Sequence, residues 1–124
     1  MVSDNIVFFE HEDGITVVHL AGHELSPVVR EVLHKSLPDN DIAPPGRDFV
    51  LDLSQLTFLG SVGLTLLVVF FGRVKKVGGR VALAGLNRYC QEVIKVSGLT
   101  RLFLLYPDVP AALAGLRADI QKVS

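Results

Sequence analysis

The feature that most constrains this chain is a run of twenty residues, Leu53 to Gly72, that holds no charge. About twenty apolar residues would be long enough to span a bilayer as a helix. The first half, however, contains Ser54, Gln55, Thr57, Gly60, Ser61 and Gly63, a poor lipid-facing surface. The run reads better as the end of a strand, a turn at Gly60-Ser61 and the start of a long buried helix. Within Val62 to Val77, Leu64, Leu67, Val68, Phe71 and Val74 recur at helical spacing and are assigned to the inward face. Gly78-Gly79 terminates the helix beside Lys75 and Lys76, whose charges suit a helix C-terminus.

The other elements follow by periodicity. Ile6 to Phe9 and Ile15 to Leu20 are β-type runs either side of a turn signal, His11-Glu12-Asp13-Gly14, and form a hairpin. Glu24 to Leu37 reads as a helix with an apolar stripe of Val28, Val29, Val32 and Leu33, Pro27 fitting only in its first turn. The prolines and glycine of 38–46 make a loop. Phe49 to Leu53 is apolar enough for a central strand. Val81 to Ala84 is the next strand. Asn87 caps a helix through about Val96, which Gly98 closes. Leu102 to Leu105 is a short last strand, and Asp108 caps a final helix with Ala112, Leu113, Leu116 and Ile120 inward. A hairpin followed by β-α alternation implies an α/β fold: a mixed sheet with parallel later strands and right-handed crossovers, flanked by about four helices.

With 124 residues, 49% of them apolar, residues 1–124 suit one domain with a real core. The formal charge of −1 offers no basic footprint for nucleic acid. The single cysteine, Cys90, cannot staple the domain, fits a reducing compartment and reads as a buried helix thiol. The first residues lack the basic and apolar regions of a secretion signal. A cytoplasmic location is expected.

Catalytic readings are weak. A nucleophile elbow at Ser61 requires glycine two residues earlier, where Leu59 stands, and all four histidines (His11, His19, His23, His34) precede Ser61. His19 and His23 lie in a strand and turn, not on one helix face, so a shared metal is not expected. Asp39 and Asp41 read as solvated loop charges. Asp52 is read as pointing to the carboxyl edge of the sheet and bonding nearby backbone. No glycine-rich nucleotide motif is present. No cofactor, metal or catalytic residue is expected. Ser61 has two compatible roles: as a helix N-cap it satisfies orphan N–H groups, and as a phosphoacceptor it would carry about −1.5 to −2 of new charge onto a neutral surface.

The segments Phe49-Val50-Leu51-Asp52-Leu53-Ser54, Thr57-Phe58-Leu59, Ser61-Val62-Gly63-Leu64, Gly78-Gly79-Arg80-Val81-Ala82-Leu83 and Val93 to Phe103, in this order, resemble a STAS domain of the anti-sigma factor antagonist type. The resemblance implies a non-enzymatic switch that binds an anti-sigma factor/serine kinase of the histidine-kinase-like ATPase fold. It implies phosphorylation of Ser61 by that kinase, reversal by a PP2C-type phosphatase, and a role in partner switching and transcription regulation. The family's turn usually reads Asp-Ser-Ser/Thr-Gly. Here Gly60 stands in place of the aspartate and Val62 in place of the second hydroxyl residue, while Gly22-His23-Glu24-Leu25 matches the family's Gly-Glu-Leu-Asp imperfectly.

Leu66, Val69 and Phe70 form a second apolar ridge on the long helix, followed by Arg73. The ridge reads either as part of a helix wedged between the sheet and a neighbouring helix and buried on most sides, or as an exposed apolar patch rimmed by charge. On the second reading it forms, with Gly60, Ser61, Val62 and Gly63, the expected partner surface, and Phe70→Asp is expected to abolish docking with the fold intact. The alternative from another class is a STAS accessory subunit of a membrane transport system of the lipid-type ABC kind, acting by protein binding without phosphorylation. A second copy of the chain is a further candidate partner. Neither nucleic acid nor direct membrane insertion is expected.

Overall fold

The computed structural model describes residues 7–12, 14–25, 48–76 and 78–123, with side chains for 14–25, 48–76 and 78–118. The expected helix over 24–37, apart from Glu24 and Leu25, and the loop over 38–46 lie outside these residues, as does the side chain of Ile120.

Five strands form one sheet in the order β1-β2-β3-β4-β5: β1 (Val7–Glu12), β2 (Ile15–Leu20), β3 (Asp48–Asp52), β4 (Val81–Ala84) and β5 (Leu104–Tyr106). The first pair is antiparallel, with Val7 opposite Leu20 and Glu12 opposite Ile15. The remaining pairs are parallel. His11 and Glu12, read from the sequence as turn, belong to β1. Pairing continues to the last residues before the reversal, so the turn is tighter than its composition suggests. The helices are α1 (Ser61–Lys76), α2 (Arg88–Val96) and α3 (Val109–Val123), with a 3₁₀ turn at Leu99–Arg101. The last strand begins two residues later than expected because Leu102 ends that 3₁₀ turn.

Alternation along the strands divides the core. Val18, Leu20, Phe49, Leu51, Val81 and Leu83 face the larger cluster, which includes Leu66, Leu67, Phe70 and Val74 of α1 and Cys90 and Ile94 of α2. Ile15, Val17, Val50, Ala82 and Ala84 face the other side, where Ala112 and Leu116 of α3 close the layer. The alanines of β4 lie opposite an alanine of α3, so small side chains meet and the helix can lie close to the sheet. Each large side chain withdrawn completely from water contributes about 1.5–3 kcal/mol.

The caps of α2 and α3 are those read from the sequence. Asn87 Oδ1 accepts from the Cys90 N–H at 2.7 Å, and Asp108 Oδ1 accepts from the Ala111 N–H at 2.9 Å. Gly98 follows α2 with φ 79°. At the amino edge of β3, Asp48, only 4% exposed, accepts from the backbone N–H of Arg80 at 2.8 Å and from its guanidinium at 2.9 Å. The same guanidinium donates to the Leu116 carbonyl at 3.1 Å. One ion pair therefore ties β3, β4 and α3 together.

No helix among the described residues is long and apolar enough to cross a membrane. The uncharged stretch from Leu53 to Gly72 is divided between a loop and α1, and Leu53, Leu56, Leu59, Leu66, Leu67 and Phe70 within it are used by the core.

Candidate functional site

The candidate site is the loop from Leu53 to Gly60, the first turn of α1 and the start of α2. The loop is pinned from below. Leu53, Leu56 and Leu59 are buried. The Leu53 N–H donates to the Ala84 carbonyl at 2.9 Å, and the N–H groups of Thr57 and Phe58 both donate to the His23 carbonyl, at 2.8 and 3.0 Å. Asn87 Nδ2 donates to the Leu56 carbonyl at 3.3 Å. The segment after β2, the loop after β3 and the start of α2 thus hold one another in register.

Two glycines permit this path. A Cβ on Gly60 would lie 2.8 Å from the Phe58 ring, and one on Gly63 would lie 2.9 Å from Leu59 Cδ1 and 3.4 Å from the Leu25 Cβ. The ring of Phe58 therefore covers Gly60, in the space a side chain at that position would need. Gly63 is buried and serves the packing of α1 on Leu59 and Leu25; it does not face outward.

Ser61 is exposed, as expected of an accessible switch position. It is the first residue of α1, whereas the sequence reading made it the N-cap. The Gly60 carbonyl already accepts from the Leu64 N–H at 2.9 Å, so Gly60 holds the cap position. Val62, beside it, is 58% exposed, and Phe58 is 50% exposed.

The ridge on α1 is corrected by the structure. Leu66 and Phe70 are 5% and 3% exposed. The Phe70 ring meets Phe49 edge-on, with centroids 5.3 Å apart at 83°. These two residues belong to the core and cannot meet a partner in this structure. The Phe70→Asp variant expected to spare the fold would instead bury an unpaired charge. The buried face of α1 is Gly63, Leu66, Leu67, Phe70 and Val74, rotated from the Leu64-Leu67-Val68-Phe71-Val74 face read from periodicity. Leu64 and Phe71 are half-buried, and Val68 is 38% exposed. A helix apolar on nearly every side gives periodicity little power to set its rotation. The outward stripe is Ser61, Val62, Thr65, Val68, Val69 and Gly72, with Lys75 and Lys76 at its far end. Arg73 is half-buried.

Tyr89, which sequence reasoning missed, completes the site. It is 49% exposed and stacks on Phe58, with ring centroids 6.5 Å apart at 24°. An aromatic residue in the first turn of a capped helix was the available signal, but its neighbour across the loop could not be read from spacing.

The remaining chemistry is structural. Asp52 does bond nearby backbone, accepting from the Ser54 N–H at 3.1 Å. It also meets His19 Nδ1 at 2.7 Å across β2 and β3, a pairing not foreseen. His19 and Asp52 are register partners, so the contact joins the ends of the two strands that feed the site. Cys90 is buried, as read, and burial pushes its thiol pKa up, away from the reactive thiolate. No group of three or more metal-ligating side chains gathers among the described residues.

The sheet order and the helix-topped loop define an α/β domain whose exposed end is built from strand-to-helix connections. The STAS domain family matches residues 9–112, and the chain belongs to that family. It is 26% identical to the anti-sigma F factor antagonist of Paenibacillus polymyxa over 110 residues, covering 86% of this chain and 91% of that protein. The crystal structure of an anti-sigma factor antagonist from Mycobacterium paratuberculosis superposes with a TM-score of 0.70 at 30% identity, covering 90% and 93% of the two chains. The phosphorylated form of the Bacillus cell fate determinant SpoIIAA has the same fold, with a TM-score of 0.61 at 19% identity over 96% of this chain and 100% of that one.

Proposed function

We propose that this protein is a non-catalytic anti-sigma factor antagonist of the cytoplasm. In its unmodified form it binds an anti-sigma factor that is also a serine kinase of the histidine-kinase-like ATPase fold, and so frees a sigma factor. The observation that carries this reading is the exposed Ser61 at the foot of α1, between half-exposed Phe58 and Val62. A phosphate there would place about −1.5 to −2 of charge in an uncharged contact surface. Removing that charge from water on docking is costly, so the partner would be released. A PP2C-type phosphatase would restore binding. Anti-sigma factor antagonists among the relatives, one of them 26% identical over 86% of this chain, support this class of function. The phosphorylated state of SpoIIAA supports the switch by analogy of fold.

The test is incubation with a purified kinase-like anti-sigma factor from the same organism, with ATP and magnesium, read by intact mass. One added phosphate on the native chain and none on Ser61→Ala is the expected result. Ser61→Glu is expected to lose at least most of the binding that Ser61→Ala retains. Equal phosphate on both chains would remove Ser61 from the role.

The second reading is the accessory subunit of a lipid-type ABC transport system. It is favoured by Gly60 itself, which offers no carboxylate beside Ser61 and whose side-chain space the Phe58 ring occupies. Stable binding to an ABC ATPase subunit, unaffected by Ser61→Glu, is the result that would select it.

A further inference from the structure

The near-zero net charge conceals a strong asymmetry along the chain. No acidic residue occurs between Asp52 and Glu92, while the same segment carries Arg73, Lys75, Lys76, Arg80 and Arg88. Arg80 is committed to Asp48, but Lys75, Lys76 and Arg88 are exposed. This segment builds the whole candidate site. It supplies the Phe58–Tyr89 pair, the outer face of α1 and the start of α2. A solvent-facing helical stripe is ordinarily rich in charge. Here the stripe stays uncharged for about three turns and then ends in two lysines.

We propose that this surface receives an amphipathic protein segment with an apolar stripe and an acidic end, lying along α1. The apolar side chains would cover Val62 and Val69, both more than 40% exposed. One end would rest on the paired rings of Phe58 and Tyr89. The acidic end would lie near Lys75 and Lys76, about 22 Å from Ser61 at 1.5 Å per residue. Two half-exposed aromatic rings held in place by stacking lose little side-chain freedom on binding, which favours them as anchors. Charge complementarity sets the direction of the segment and speeds its approach. The inference rests on the docking role proposed above and adds the chemistry of the partner's contact segment. A phosphate on Ser61 would oppose such a segment by desolvation at its apolar end, the acidic end lying about 22 Å away and so beyond the reach of screened charge.

The test is an NMR titration of the isotope-labelled full chain with synthetic helical peptides of about 18 residues, long enough to cover the stripe. One peptide carries a leucine stripe with glutamates, and its counterpart carries lysines at the same positions. The acidic peptide is expected to shift the amides of Val62 to Lys76 and of Tyr89, and to bind about ten-fold or more tighter than the basic one. The double variant Lys75→Glu, Lys76→Glu is expected to erase that preference. Val69→Asp and Tyr89→Ala are expected to weaken the acidic peptide several-fold. Equal affinity for the two peptides, shifts confined to another surface, or self-association of the chain through this face in sedimentation would overturn the proposal. Acidic-peptide binding that persists in Ser61→Glu would leave this proposal standing and count against the phosphorylation switch.

Discussion

The two ends of β3 use their polar groups in opposite ways. At the amino end, Asp48 is buried and bonded to the backbone and guanidinium of Arg80, which also reaches the Leu116 carbonyl. Every contact there joins one part of the chain to another. At the carboxyl end, backbone bonds to His23 and Ala84, and the Asn87 side-chain amide donating to the Leu56 carbonyl, fix the path of the loop, yet Phe58, Ser61 and Val62 are left facing solvent. The difference separates a joint from a presenting surface. A joint encloses its polar groups because an unpaired buried charge is expensive. A presenting surface is held rigid from beneath, so that exposed side chains keep one arrangement.

Substitutions can break or sharpen this contrast. The largest effect is expected beneath the presenting surface: Phe70→Asp should unfold the protein, and Phe70→Ala should cost about 3–5 kcal/mol in urea titration, the range for a buried aromatic truncation. A folded Phe70→Asp protein would contradict the placement of this ring against Phe49. At the joint, Asp48→Ala should cost about 2–4 kcal/mol, less than a fully enclosed pair because Arg80 retains about a third of its exposure. Stability within experimental error of the native chain would show that the ion pair is ornamental.

Smaller changes are expected on the presenting side. Gly60→Ala must displace the Phe58 ring, but that ring is half-exposed and can swing outward. A loss of about 1 kcal/mol or less is expected, with a clear change in the near-ultraviolet circular dichroism of the Phe58–Tyr89 pair. An unchanged aromatic spectrum would mean the two rings are not coupled to Gly60. Val62→Lys and Val69→Asp should alter stability by no more than about 0.5 kcal/mol, as surface substitutions do. A larger loss would place those residues in the core and dissolve the contrast between the two faces of α1.

Most of the architecture was legible from residues alone. The β-branched run of β2, the apolar β3, the Asn87 and Asp108 caps and the glycine after α2 all speak through local geometry. The family could also be recognised at that level, because its spaced segments occur in order. Ser61 was singled out correctly as an accessible position, although Gly60 holds the cap. The partner ridge was misplaced. Leu66 and Phe70 were assigned outward because α1 is apolar on almost every side, and hydrophobic spacing cannot tell a helix's core face from an apolar face left open.

What the sequence by itself determined was the order of the described elements, the caps of α2 and α3 and the uncharged character of the Leu53–Gly72 run, since each depends on neighbours within a turn or a strand. Only the tertiary structure decided the rotation of α1, the cover of Gly60 by Phe58, and the meeting of Phe58 with Tyr89 and of His19 with Asp52. These depend on where distant segments come to rest. Packing against the sheet buries Gly63, Leu66, Leu67, Phe70 and Val74 of α1, and that orientation chooses which valines remain for a partner to touch.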